Sequence, residues 1–311
     1  MLEIKKSIEI FFKGKILWNE PMKKHTSFGI GGPALAILYP SDEFDLSNLL
    51  KIAKKENIRI YFKGSGSNIL AHDDGFNGFI ISLSKSFRKL NISKNKVFCE
   101  SGVMLGSFVK KCTSSNLTGM ESLIGVPGTV GGAIKMNAGA WGMEISNYIK
   151  KVKMMNSEGE IIELKKKEIE FGYRFSSIKN HLIISSNFEF KNSNPEKIKR
   201  LKLSASNSRK NTQPLKFRSA GSVFKNPKNY SAGYLIDKVG LKGMRVGDAE
   251  ISKKHANFFL NLGNASSKDI VELILLARNK VKEKFDINLE LEIKTIGFEK
   301  DIFKKWSFLI S

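Results

Sequence analysis

Apolar and polar positions along this chain switch between a period of about two and a period of about 3.6, and the switches divide it into elements. Residues 1–20 hold Ile8, Ile10, Phe11 and Phe12 among charged positions and read as a helix with a polar exit. The turn-rich run His25-Thr26-Ser27-Phe28-Gly29-Ile30-Gly31-Gly32-Pro33 then leads into a strand over Ala34–Tyr39. Leu46, Leu49, Leu50 and Ala53 predict a helix over Phe44–Lys55. The alternation Ile58–Phe62 predicts a strand that runs directly into Lys63-Gly64-Ser65-Gly66-Ser67-Asn68-Ile69-Leu70. Phe79–Leu83 is a short apolar strand and Met104–Ser114 a helix. Ile149–Met155 and Ile161–Leu164 read as two strands joined by Asn156-Ser157-Glu158-Gly159-Glu160, which has hairpin chemistry. His181–Phe190 is a further strand.

The pattern turns polar at Lys191–Glu196, and longer helices follow over Pro195–Asn211, Ala232–Val239 and Lys268–Phe285. The last carries Ile270, Ile274, Ala277, Val281 and Phe285 on one face, with Ser266 and Asp269 spaced as a capping box. Leu289–Phe298 closes as a strand. The polar stretch divides the chain into residues 1–192, themselves two subdomains of about 1–80 and 81–192, then residues 193–299, then a tail of 300–311. Short strands interleaved with helices throughout predict an α+β fold rather than a doubly wound sheet.

Composition narrows the classes. The length of 311 residues suits two domains, and 41% hydrophobic residues supply real cores. Cys99 and Cys112 are too few for a disulfide scaffold or a four-ligand zinc site, so a reduced cytoplasmic compartment is expected and no metal. No stretch approaches the roughly 18 apolar residues of a membrane span. The charge balance is 52 − 30 = +22, which raises a nucleic-acid hypothesis. Against it, arginine, the better fork for phosphates and guanine edges, is confined to positions 59, 88, 174, 200, 209, 218, 245 and 278, and the lysines are spread along the whole chain. A solvated basic surface is the simpler account; it can still steer anionic small substrates.

Two glycine loops carry the candidate chemistry. Gly64-Ser65-Gly66-Ser67-Asn68 follows a strand, so its backbone N–H groups can form an anion nest, or it is an ordinary strand-to-loop turn. It is neither a dinucleotide fingerprint nor a Walker loop, because Ile69 stands at the third glycine position and no Gly-Lys-Ser/Thr follows. The second run, Gly119 to Ala133, includes Gly125-Val126-Pro127-Gly128-Thr129-Val130-Gly131-Gly132, and Asn137-Ala138-Gly139-Ala140 comes soon after. Such small residues suit close contact with a flat diphosphate ligand or, equally, tight backbone packing.

Together these loops resemble the FAD-binding domain of the UDP-N-acetylenolpyruvoylglucosamine reductase family, within the flavoprotein superfamily of vanillyl-alcohol oxidase and para-cresol methylhydroxylase. Three further motifs narrow the resemblance to that reductase: Phe171-Gly172-Tyr173-Arg174, Ala220-Gly221-Ser222-Val223-Phe224-Lys225-Asn226-Pro227, and Leu291-Glu292-Ile293-Lys294-Thr295-Ile296-Gly297. Their order and spacing match over roughly residues 20–298. The resemblance implies an FAD-binding domain followed by a smaller α+β substrate-binding domain. It implies an enzyme that uses NADPH and FAD to reduce UDP-N-acetylglucosamine enolpyruvate to UDP-N-acetylmuramate, a peptidoglycan precursor. A cytoplasmic monomer that binds no nucleic acid and inserts in no membrane is expected.

The resemblance also assigns residues. Gly64, Ser65, Gly66, Ser67, Asn68, Ile69, Gly125, Val126, Pro127, Gly128, Thr129, Gly132, Asn137, Ala138 and Gly139 are expected at FAD. Arg174 is expected to meet the charge that develops at the pyruvyl carboxylate, Ser222 to give a proton, and Glu292 to act at the carboxylate end, which demands a raised pKa. Lys225, Asn226 and Lys242 are expected at the sugar nucleotide, with Tyr234 and His255 as weaker candidates; His25 is expected to cap or pack. The chain resembles the subclass without a tyrosine-lid insertion. It departs from the family at Trp141, where tyrosine is common, and at Asp248, where glycine is common. Two alternatives remain at this point: another oxidoreductase of the same superfamily, and a colourless lysine-rich nucleic-acid-binding protein.

Overall fold

The stretch expected to begin as one helix divides in two: α1 covers Leu2–Glu9, and Lys15–Pro21 is a strand. Gly14 separates them, packed so closely on the Tyr39 carbonyl that no side chain fits there. Beyond it Trp18 packs edge-on against Phe79, 6.3 Å between ring centroids, a sheet contact that outweighs the local helical spacing. The computed structural model describes residues 2–299 and 302–303; the expected tail of 300–311 otherwise lies outside the described residues.

The chain groups into two compact units. The first runs to Trp18 and takes Ala36–Ser65 and Gly78–Arg209; the second takes Asn19–Leu35, Gly66–Asn77 and the chain from Lys210. This grouping differs from a division at 192/193: helix α5, Pro195–Thr212, belongs with the first unit as far as Arg209, and the first glycine loop changes unit between Ser65 and Gly66.

In the first unit, α2 (Glu43–Lys55) is capped by Asp42, whose carboxylate accepts from Asp45 N at 2.8 Å. A four-stranded sheet has the order Lys15–Pro21, Pro33–Tyr39, Phe76–Ile81, Ile60–Phe62. Ile60 and Phe62 lie parallel to Phe79 and Ile81, which fixes where the following glycine loop begins. A five-stranded antiparallel sheet has the order Ile161–Lys165, Ile149–Met155, Leu182–Glu189, Lys96–Glu100, Leu90–Ser93. Its expected hairpin is present: Asn156 Oδ1 accepts from Glu158 N and Glu160 N, both at 2.9 Å. Helices α3 (Leu105–Ser114) and α4 (Val130–Lys135) share one core with this sheet through Phe108, Ile134, Val152 and Phe188.

The second unit is built on α6 (Ala232–Lys238) and α7 (Ser267–Phe285), whose Leu235, Ile236, Ile270 and Ile274 pack with Phe224 and Phe259. The capping box at Ser266 and Asp269 is formed, with both hydrogen bonds in place. A three-stranded sheet has the order Arg245–Val246, Ala249–Ile251, Phe259–Asn261. The strand expected over Leu289–Phe298 is regular only at Lys294–Ile296, which runs parallel to Ile69–Ala71. The earlier part changes partner: Leu291 makes a single antiparallel bridge to Phe224, so no continuous ladder extends from 289 to 298.

Candidate active site

In the first unit the strand Ile60–Phe62 delivers Lys63 and Gly64. The Gly64 carbonyl accepts from Lys63 Nζ at 3.0 Å and from Ser82 Oγ at 3.2 Å. A Cβ on Gly64 would sit 2.7 Å from Thr129 Oγ1, so the two glycine loops touch at a point only glycine permits. Thr129 is the N-cap of α4, accepting from Gly132 N at 3.3 Å, and Gly128 accepts from Leu105 N at 2.9 Å. Val126 N donates to Leu123 O at 3.0 Å, which closes a turn over Leu123–Val126 at the entry to the Gly125–Gly128 segment. Asn137 is fully buried with its side chain engaged: Nδ2 donates to Glu144 Oε2 at 2.7 Å and Gly172 O at 3.0 Å, and Oδ1 accepts from Ser146 N at 3.3 Å. Ala138 packs against the same core, and Gly139 pairs with Glu144.

That Asn137–Gly172 bond ties the glycine segment to the hairpin that carries Arg174. Phe171–Gly172 pairs with Phe175–Ser176 across Tyr173 and Arg174, and Ser176 Oγ donates to Lys135 O at 2.8 Å. Arg174 sits at φ +53, in the left-handed region where a glycine or asparagine is usual. Its guanidinium carbon stands 4.9 Å from the Tyr173 ring centroid. Trp141 also has positive φ (+50) and is exposed, with the Arg209 guanidinium 5.7 Å from its ring.

In the second unit Gly66 continues the first loop at φ +82, and a Cβ there would overlap the His25 carbonyl oxygen. Ser27 N donates to Gly66 O at 3.0 Å, so the His25–Pro33 turn braces the loop; the His25 ring pairs with Glu20 at 3.0 Å. Asn68 reaches across the sequence: its Nδ2 donates to Glu292 O at 3.1 Å, and its carbonyl accepts from Lys294 N at 2.9 Å. Ile69 is buried beside it. Glu292 N in turn donates to Val223 O at 2.8 Å, and Lys225 N donates to Glu290 O at 2.8 Å. Thus Asn68, Glu292 and the segment that begins at Ser222 are brought together. Ser222 is held on its other side by a bridge to Phe258.

The expected substrate residues are all near ion or hydrogen-bond partners. Lys225 Nζ meets Glu290 Oε1 at 2.6 Å, and Lys242 Nζ meets Asp237 Oδ2 at 2.7 Å. Asn226 Oδ1 accepts from Ala232 N at 3.0 Å, setting the entry into α6. Tyr234 is half exposed, and its ring lies 5.5 Å from Lys238 Nζ. His255 accepts at Nδ1 from Asn257 N at 3.2 Å, and burial holds its pKa below the usual imidazole value. Asp248 has a local reason to be there: Oδ2 accepts from Asn264 N at 2.8 Å and steadies the turn before α7.

Known proteins resemble this chain over nearly its whole length. A family described as the FAD binding domain matches residues 34–165, and one described as the UDP-N-acetylenolpyruvoylglucosamine reductase C-terminal domain matches residues 213–296. UDP-N-acetylenolpyruvoylglucosamine reductase of Clostridium kluyveri is 44% identical over 90% of this chain and 92% of its own length. That of Clostridioides difficile is 42% identical over 93% of this chain and 96% of its own. The chain belongs to the UDP-N-acetylenolpyruvoylglucosamine reductase family. The crystal structure of this reductase from Thermus caldophilus superposes with a TM-score of 0.78 at 33% identity, covering 92% of this chain and 100% of that one. A reductase of this family is an FAD-binding oxidoreductase, and the mixed fold described here is an FAD-binding domain joined to the reductase C-terminal domain.

The glycine loops fit such a cofactor. Gly64 and Gly66 are each pressed on one side by a neighbour, Thr129 and His25, which leaves backbone rather than side chain to meet a ligand. Among the described residues no acidic or thiol cluster could hold a metal ion, and no helix is long and apolar enough to cross a membrane.

Sequence reasoning missed several residues that hold this reductase's motifs in shape. Arg209 Nε donates to Ile124 O at 3.3 Å, just before Gly125. Arg278 Nε donates to Leu289 O at 3.0 Å, just before Glu290 and Glu292. Desolvation holds the pKa of both guanidinium groups below the usual arginine value. Lys294 follows Glu292 by two residues; desolvation and Lys225 draw its pKa down, while Glu290 and Glu292 oppose the shift. Scarcity was a usable signal for the two arginines; Lys63 and Lys294 had none, being lysines in a lysine-rich chain.

Proposed function

We propose that this chain reduces UDP-N-acetylglucosamine enolpyruvate to UDP-N-acetylmuramate in the cytoplasm, as a monomer that takes its electrons from NADPH. The observation that carries the reading is the hydrogen-bonded junction of Asn68, Val223 and Glu292 in the second unit, because it gathers three motifs separated by up to 224 residues. When bound, FAD would supply the hydride chemistry of the reduction, with NADPH as the electron source. Gly64–Ile69, Gly125–Thr129, Gly132 and Asn137–Gly139 would hold that cofactor, mainly through backbone.

Each remaining role belongs to a named side chain. Arg174 offers a planar fork to the pyruvyl carboxylate and so meets the negative charge that spreads into it as the adjacent carbon becomes electron-rich. Ser222 Oγ gives its proton to that carbon. A hydroxyl is a weak acid, but a carbanionic carbon is a stronger base than an alkoxide, so the transfer is downhill. Glu292 acts at the carboxylate end. Lys225, Asn226 and Lys242 bind the nucleotide diphosphate and sugar, which requires the two lysines to exchange their present carboxylate partners for substrate oxygens. Only Phe190–Asn194 separates the strand Leu182–Glu189 from α5, which supports the subclass lacking a lid insertion there.

The test is the absorbance spectrum of the purified protein. A flavin spectrum that NADPH bleaches and the enolpyruvyl sugar nucleotide restores is expected. A colourless protein, or a bleached flavin that this substrate leaves unchanged, would refute the assignment.

A further inference from the structure

Lys63 is 6% exposed, which is rare for a lysine. Among the described residues no carboxylate pairs with it: its Nζ donates to the Gly64 carbonyl, and the charge that bears on it is another ammonium, Lys85. A buried cation facing a like charge is costly unless an anion or a functional need repays it. The position supplies such a need, since the acceptor is the first carbonyl of the glycine loop and Ser82 Oγ donates to the same oxygen.

We propose that Lys63 is a positioning residue for the cofactor's diphosphate, pinning the Gly64 carbonyl inward with Ser82 and thereby directing the Ser65 amide N–H the opposite way, toward the ligand. In a trans peptide the carbonyl and the following N–H point in opposite directions, and the chain has no cis bonds among its described residues. Two donors on one carbonyl fix that peptide plane, and the ammonium adds positive potential beneath a loop that must receive an anion. The inference rests on the FAD reading of the glycine loops.

Burial and Lys85 bring the Lys63 ammonium down to about 8, so it loses its charge just above neutral pH. FAD affinity therefore falls as pH rises through about 8. The experiment follows release of FAD from the full-length holoprotein on dilution, by recovery of flavin fluorescence, from about pH 6.5 to about pH 9.5. In Lys63→Met, FAD binds roughly ten-fold or more weakly at neutral pH, in line with loss of a charge-assisted contact, and its affinity no longer depends on pH in this range. Binding of riboflavin, which lacks the diphosphate, is unchanged. Ser82→Ala weakens FAD less and keeps the pH dependence.

A wild-type affinity flat across that range overturns the proposal, and needs no variant to fold. So does a Lys63→Met protein with wild-type FAD affinity, or one that loses riboflavin and FAD alike. A wild-type protein that binds no FAD at any pH sinks the cofactor reading itself, a different result from a flat profile.

Discussion

Arg174 occupies the left-handed turn position that glycine usually takes, at φ +53, in a hairpin anchored by Asn137 and Ser176. Backbone strain of this kind clusters at functional sites, and the proposed function gives the Arg174 side chain a role there. Arg174→Ala is expected to lower kcat by about 10²–10³-fold, the range seen when a donor to developing negative charge is removed; a near-wild-type turnover number contradicts the role. Ser222→Ala should leave bleaching by NADPH intact and slow the return of flavin absorbance with substrate. Glu292→Gln should be severely impaired, because the proposed function needs its carboxyl at the substrate while the backbone bonds to Asn68 and Val223 that hold it in place survive the change, and Glu290→Gln tolerated, because Glu290 is largely exposed and paired with Lys225; single-turnover kinetics separate them. Lys63 also carries a stability signature. Its folded-state pKa is depressed from 10.5 to about 8, so the unfolded chain holds the proton more tightly between those values, and stability rises with pH across that window. Lys63→Met removes that window and raises stability at neutral pH by about 2 kcal/mol, while weakening FAD, as denaturant melts at two pH values should reveal. The motif side chains were legible as residue types in order. Lys63 was not, because its significance lies in burial beside a carbonyl, which spacing does not encode.

At the scale of elements, local chemistry was readable where it is local. The Ser266–Asp269 box and the Asn156 turn each close within a few residues, and both are present as expected. Ser266→Ala should cost about 1 kcal/mol of stability, measured by thermal melting, with kcat unchanged. The two misread elements are those set by pairing outside the segment itself. Lys15–Pro21 pairs with Pro33–Tyr39, beyond the reach of helical spacing, in a sheet completed by Phe76–Ile81 and Ile60–Phe62, and Leu289–Glu292 takes Val223–Lys225 as its partner instead of continuing the ladder that Lys294–Ile296 makes with Ile69–Ala71. Alternation in the sequence says that a strand is affordable, not who pairs with it. Gly66 belongs to this scale too: at φ +82 against the His25 carbonyl, Gly66→Ala must move the loop or the turn. Loss of bound FAD and a melting temperature lowered by several degrees are expected; a flavin-replete, equally stable variant would mean that the loop has slack.

For the molecule as a whole, the grouping of segments 19–35 and 66–77 with the chain after Lys210 was hidden from the sequence, because it depends on contacts such as Asn68 with Glu292 rather than on any composition shift. The charge, by contrast, is legible in the composition alone. Many carboxylates already have lysine partners, among them Glu158 with Lys54, Glu43 with Lys153, Glu163 with Lys151 and Glu189 with Lys150. The net charge of +22 exceeds what the acidic residues can neutralise, so the chain carries a net positive field. The proposed substrates, NADPH and the sugar nucleotide, are both anions, so on the proposed function this field should raise their encounter rate. It also strains the compact state by self-repulsion. Raising neutral salt from about 10 mM to about 300 mM shrinks the Debye length from about 30 Å to below 8 Å. Accordingly kcat/KM for the sugar nucleotide should fall about five- to ten-fold, largely through KM, while the melting temperature rises. Both changes have one cause, so they should occur over the same salt range. A kcat/KM indifferent to salt, with the melting temperature still rising, would mean that the lysines only solvate the surface and that the field plays no part in capturing substrate.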